Sequence, residues 1–144
     1  MLPPGDCDQR VLVVDDDPAI QQMFTAVLKR QGISIDVALD GEIALQCLRS
    51  RKYDVVLLDL MLPRTNGFEV IRHLKCLSPD ILDRVIVVTA ASQRTLQYLD
   101  AGIVRKVLRK PFDINELVAE VRDCMAQRSQ AESTPAKRGP TVSG

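Results

Sequence analysis

The chain has 144 residues, 46% of them apolar and 26% charged, and its 19 basic and 19 acidic side chains leave no net charge. That length suits one domain with a real core, and that polarity excludes an integral membrane protein. The even balance also argues against a surface built to grip nucleic acid, which needs a basic excess to neutralise phosphates.

The first ten residues, MLPPGDCDQR, lack the charged-then-apolar order of a signal peptide, and the expected location is the cytoplasm. Val11 to Val14 then form a continuous apolar run, the pattern of a strand buried on both faces. It runs straight into Asp15, Asp16 and Asp17, followed by Pro18. Asp17 before a proline reads as a helix N-cap with proline at the first helical position, which leaves Asp15 and Asp16 without a structural role. The helix that follows carries Ile20, Met23, Phe24, Val27 and Leu28 on one face, and Gly32 ends it.

Ile33, Ile35 and Val37 alternate with polar residues, as in a half-exposed edge strand. Asp40 and Gly41 open the second helix, whose inner face is expected to be Ile43, Ala44, Cys47 and Leu48. Val55 to Leu58 form another continuous apolar strand, and Asp59 stands where it should surface. A carboxylate at the end of a buried strand is costly unless a cation or substrate compensates it. Pro63 and Gly67 supply the reversal, and Val70, Ile71 and Leu74 restore helical spacing. His73 lies between Arg72 and Lys75 on the solvated side of that helix.

Val85 to Val88 form a fourth strand that ends in Thr89. From Ser92 to Asp100 only Leu96 and Leu99 keep helical spacing, which makes this helix the weakest and the readiest to move. A short strand around Lys106 to Leu108 leads to Lys110 and Pro111. Asp113 and Glu116 form a capping pair for the last helix, with Leu117, Val118, Val121, Cys124 and Met125 as its apolar stripe. Residues 128–144 lack the apolar side chains to order themselves and read as a disordered tail or linker stub after a folded unit of residues 8–127. Cys7, Cys47, Cys76 and Cys124 have no metal-ligand spacing and read as reduced thiols.

Alternation of strand and helix implies an α/β fold, an open parallel sheet with helices on both faces and ligands beyond the carboxyl ends of its strands. Asp15, Asp16, Asp59, Thr89 and Lys110 all stand at such ends. Clustered carboxylates with one lysine suit a hard divalent cation, magnesium in particular. Asp59 can then attack a phosphoryl group, with Lys110 and the Thr89 hydroxyl contacting its oxygens.

The segments VLVVDDDP, LLDLMLP with NG, VVTA and KPF, in this order and spacing, resemble the response regulator receiver family of two-component signalling. The resemblance covers about Gln9 to Gln127. It implies the flavodoxin-like receiver fold, a five-stranded parallel sheet in strand order 2-1-3-4-5. It also implies that Asp59 accepts phosphate from a histidine kinase or histidine phosphotransfer protein, in a phosphoacceptor that assists its own phosphorylation and slow dephosphorylation and is not otherwise an enzyme. The implied magnesium ligands are Asp16, Asp59 and the Met61 backbone carbonyl, with Asp15 close by through water. Thr89 becomes a switch residue, Lys110 a phosphate partner, and the bond before Pro111 cis. A downstream protein partner is expected on the face of the fourth helix and fifth strand, where Arg105, Lys106 and Arg109 are exposed to it, and no direct nucleic acid binding by this domain. Val107 departs from the family, which often has an aromatic residue three before the lysine, and signal transmission is then expected through displacement of Ala90 to Lys106.

Two other classes share part of the pattern. A binding module of the same fold that works without phosphate is one. A phosphohydrolase of the haloacid dehalogenase type is the other, although Met61 stands where such an enzyme carries its general acid.

Overall fold

The computed structural model describes residues 9–100 and 102–133, with side chains to residue 127. Five strands, β1 (Arg10–Val14), β2 (Ser34–Ala38), β3 (Val55–Leu58), β4 (Val85–Thr89) and β5 (Lys106–Arg109), form one parallel sheet in the order β2-β1-β3-β4-β5. Five α-helices alternate with them: α1 (Pro18–Arg30), α2 (Gly41–Ser50), α3 (Gly67–Leu77), the single turn α4 (Gln93–Leu96) and α5 (Ile114–Ser133). A short 3-10 stretch, Pro79–Arg84, precedes β4.

Side chains alternate across a strand, so the continuous apolar runs feed two separate cores. Leu12, Val14, Val56, Leu58, Val85 and Val87 pack on one face with Ala44 and Leu45 of α2 and Val70, Ile71 and Leu74 of α3. Val11, Val13, Val55, Leu57, Ile86, Val88 and Leu108 pack on the other with Phe24 and Leu28 of α1 and Leu117, Val121, Cys124 and Met125 of α5. β1, β3 and β4 are therefore apolar at nearly every position. β2 and β5 are the edges, and most of their residues are at least partly exposed.

The helix starts follow local chemistry. Asp17 Oδ1 accepts the Ala19 N–H at 2.9 Å with Pro18 as the first helical residue, and Asp40 Oδ1 accepts the Ile43 N–H at 2.9 Å. Asn66 Oδ1 caps α3 by accepting from Glu69 N–H at 3.1 Å. Gly32, at φ +78°, occupies the left-handed position just past α1.

Three expectations need correction. The buried face of α2 is Gly41, Ala44 and Leu45, with Cys47 and Leu48 partly buried, while Ile43 is exposed. The cause is Gly41. A Cβ there would lie 2.0 Å from the Thr65 carbonyl oxygen, so α2 begins pressed against the loop after β3 and its rotation follows that contact. Second, α5 runs to Ser133, beyond the expected end at residue 127 and into the segment 128–144 read as a tail. Gln130, Ala131 and Glu132 are good helix formers, so local propensity is enough to carry the helix beyond the buried Cys124 and Met125. Residues 134–144 of that tail, and Cys7, lie outside the described residues. Third, Asp113 caps α5 alone, accepting from Asn115 N–H at 2.8 Å, because Glu116 faces Lys106 Nζ at 4.0 Å.

Candidate phosphoryl and metal site

The sheet carries its register one residue past the strands, and this aims the polar side chains. Asp15 N–H donates to Ala38 O at 3.2 Å, Asp59 N–H to Val14 O at 3.0 Å and Lys110 N–H to Thr89 O at 2.8 Å. Asp15, Asp59, Thr89 and Lys110 thus stand side by side at the carboxyl edge. The sequence expected these residues together, and the fold unites them.

Asp59, 6% exposed, is held at both carboxylate oxygens. Oδ1 accepts from the Thr89 hydroxyl at 2.8 Å and from the Met61 N–H at 3.0 Å, and Oδ2 accepts from Lys110 Nζ at 3.3 Å. Asp15, 2% exposed, accepts from the Asp17 N–H at 2.9 Å through Oδ1 and from Lys110 Nζ at 3.0 Å through Oδ2. The buried Thr89 hydroxyl also accepts from the Ala91 N–H at 3.2 Å, so it ties Asp59 to the loop before α4. Asp16 is exposed, and the carboxylate oxygens of Asp15, Asp16 and Asp59 lie within 4.8 Å of one another.

The electrostatics are uneven. Withdrawal from water raises the Asp15 carboxyl above its ordinary value, outweighing the Asp17 N–H and Lys110 that favour its charge. Burial pulls Lys110 down, but its bond to Asp15 and the charges of Asp59 and Asp15 more than reverse that and its pKa is raised. Lys110 keeps more contact with water than Asp15, 19% against 3% of the side chain, which is why the lysine gains from the pair and the carboxylate does not. One lysine against three carboxylates leaves a local excess of negative charge. Oxygen donors with uncompensated charge, partly open to solvent through Asp16, fit a hard divalent cation.

The loop after β3 is shaped by close contacts. Arg64 takes a left-handed conformation at φ 61°, and its Nε lies 3.7 Å from Asp40 Oδ2. A Cβ on Gly67 would sit 2.5 Å from the Asp59 carbonyl oxygen, so only glycine lets α3 begin this close to the strand end. The Lys110–Pro111 bond is cis.

Other candidates lie away from this cluster. His73 is exposed, with its ring nitrogen 2.9 Å from the Glu69 carbonyl of its own helix. Of the basic trio, Arg105 is partly buried and donates to Glu120 at 2.8 Å and Gln127 at 2.8 Å, while Arg109 reaches Gln93 of α4 at 3.3 Å. Leu96, Leu99, Val104 and Val107 line an open groove between α4 and β5 beside Arg105 and Arg109. The residue that sequence reasoning missed is Gln21, whose side-chain amide donates to the Asp15 carbonyl at 2.7 Å.

A parallel sheet in this order, with paired acids and a lysine at its carboxyl edge, defines a class, and the family model described as "Response regulator receiver domain" matches residues 11–122. The chain belongs to the response regulator receiver domain family. It is 40% identical over 131 residues to the DNA-binding response regulator MtrA of Mycolicibacterium smegmatis, a match covering 90% of this chain and 54% of that protein. Response regulator MprA of Mycobacterium sp. strain KMS is 36% identical over 123 residues, covering 85% and 53%. The chain spans about half the length of the curated relatives it matches. Among solved structures, response regulator TrrA from Thermotoga maritima in complex with magnesium and BeF aligns with a TM-score of 0.71 and 33% identity, covering 81% of this chain and 98% of that one.

Proposed function

We propose that Asp59 is the phosphoacceptor of this receiver domain. The observation that carries the reading is the convergence on one buried carboxylate of a hydroxyl and an ammonium, Thr89 at 2.8 Å and Lys110 at 3.3 Å. An Asp59 oxygen attacks the phosphorus of a phosphohistidine on a histidine kinase or histidine phosphotransfer protein. A phosphorus–oxygen bond forms, the phosphorus–nitrogen bond breaks, and the imidazole leaves with its electron pair. Lys110 follows the negative charge from the carboxylate to the phosphoryl oxygens, and the Thr89 hydroxyl turns its proton toward one of them. Asp16, Asp59 and the Met61 carbonyl would hold magnesium, with Asp15 close by through water. When bound, the cation neutralises charge on the carboxylates and the incoming phosphoryl group.

The reaction is a single loading of the protein and not turnover of a substrate, with slow hydrolysis resetting it. No described helix is long and apolar enough to cross a membrane. The output face is the groove between α4 and β5. Thr89 bonds the Ala91 N–H, so a shift of its hydroxyl acts directly on the loop that leads into the single turn of α4. The DNA-binding description of MtrA belongs to a longer protein, and no nucleic acid contact is assigned to this domain.

Intact mass after exposure to acetyl phosphate tests the chemistry. One phosphoryl group should appear with magnesium, and none without it. Normal labelling of Asp59→Asn would show that the nucleophile lies elsewhere. Hydrogen exchange with beryllium fluoride tests the output: protection should change from Ala90 to Gly102 and on to Lys106, and a response confined to the loops around Asp16 and Asp59 would place the output elsewhere.

A further inference from the structure

Three acids in a row share one turn, and the structure separates their roles. Asp17 caps α1, and Asp15 pairs with Lys110. Asp16 is left exposed between them, on a turn that has departed from the sheet. The Asp15 carbonyl lies one residue beyond the end of β1, because the chain must turn away to enter α1 at Pro18. At that point Gln21 takes over. Its backbone N–H donates to the Asp17 carbonyl at 3.0 Å, closing the first turn of α1, and its side-chain amide donates to the Asp15 carbonyl at 2.7 Å. The amide therefore fixes the peptide plane between Asp15 and Asp16, and the main chain of the same residue fixes the carbonyl of Asp17. One residue brackets Asp16 from both sides.

We infer that Gln21 is a positioning residue for cation binding, holding the Asp15–Asp16 peptide so that the Asp16 carboxylate is already aimed at the ion site. The inference rests on the reading of Asp16 and Asp59 as cation ligands. A bond of this kind, behind a ligand, orients it without touching the ion, and its loss weakens binding by letting the ligand wander. The Gln21 amide bonds the Asp15 carbonyl and takes no part in the hydrogen bonds that hold Asp59, Thr89 and Lys110, so its removal should alter the magnesium requirement and spare the phosphoryl transfer itself.

The test compares the full chain with Gln21→Leu, which keeps the bulk and loses the donor, and Gln21→Asn, which keeps the amide but is one methylene too short. Gln22→Leu, at an exposed neighbour on the same helix, is the control. Magnesium titration by calorimetry should show Kd raised about three- to tenfold in both Gln21 variants and unchanged in the control. Acetyl phosphate labelling should need correspondingly more magnesium, yet reach a rate within about twofold of the wild type at saturation, because the reacting groups are intact. An unchanged Kd in folded Gln21 variants would overturn the inference. A lower saturated rate with unchanged Kd would do so too, as would unfolding of both variants, which would assign Gln21 to the fold. If the wild type itself neither binds magnesium nor labels, the reading of the acidic site fails first, and that result differs from a failure confined to Gln21.

Discussion

Two polar clusters sit on this sheet, and they differ in charge balance. On the β2 side Asp36 accepts from the Tyr53 hydroxyl at 2.6 Å, from Arg10 at 3.1 Å and lies 3.4 Å from Arg51. One carboxylate there meets two guanidinium groups and a phenol, and the Tyr53 hydroxyl is driven upward in pKa by burial and by that carboxylate. At the carboxyl edge three carboxylates share one lysine. A cluster whose carboxylate is fully met by cations is complete as structure. One with carboxylates in excess requires a further cation, and this distinction separates a tie in the fold from a place of chemistry.

The largest expected effect lies at the carboxyl edge. Asp59→Asn should abolish phosphoryl labelling and leave a folded protein, checked by intact mass and circular dichroism. Asp36→Asn should leave labelling intact. The next contrast is in stability, where the same change of acid to amide should act in opposite directions. At Asp36 it weakens charge-assisted bonds and should cost about 1–2 kcal/mol in urea unfolding, less than for a fully buried pair because the site is partly exposed. At Asp15 it removes a charge whose burial is unfavourable, and without magnesium the variant should be as stable as wild type or up to about 1 kcal/mol more stable. A large loss for Asp15→Asn would erase the contrast.

Magnesium gives a smaller but cleaner separation. It should raise the melting temperature of the wild type by mass action, equally in Asp36→Asn and much less in Asp15→Asn. The smallest effects come from protons. The raised pKa of Lys110 means that the folded state holds that proton more tightly than the unfolded state. Its contribution to stability is therefore full below the ordinary value of 10.5 and is lost as pH rises through the folded value. Asp15 behaves in the opposite sense. Between 3.8 and its raised folded value the native state retains a proton that the unfolded state has lost, so stability from this group falls as pH rises across that window. Melting curves in magnesium-free buffer across both windows should show the two trends, and the acid-side trend should vanish in Asp15→Asn.

The site was legible because its residues interrupt a strong pattern. Asp59 and Asp15 follow apolar runs that only buried strands tolerate, and Thr89 and Lys110 follow in order at later strand ends. Alternation at Ile33, Ile35 and Val37 likewise marked β2 as an edge. The order of the strands came from the family resemblance, since periodicity says nothing about which strands are neighbours. The rotation of α2 was hidden because it depends on a single backbone approach between Gly41 and Thr65, far apart in the chain. The end of α5 was hidden because the apolar stripe in the sequence ends at Met125 while the helix runs on to Ser133. Gln21 left no trace in the sequence, since a side chain that bonds a backbone carbonyl needs no partner residue of any particular type.

The contact between Gly67 and the Asp59 carbonyl has a mechanical consequence. With no room for even a methyl group, the start of α3 and the end of β3 are in direct backbone contact and must move as one body. The opposite wall is Thr89, whose hydroxyl is tied among the described residues by two hydrogen bonds, one of them to the loop of a helix one turn long. Strain introduced at Asp59 meets a stiff wall on the α3 side and a compliant one on the α4 side. Displacement follows compliance, so movement started at Asp59 is expected on the α4 side, and hydrogen exchange there should respond before any partner is present.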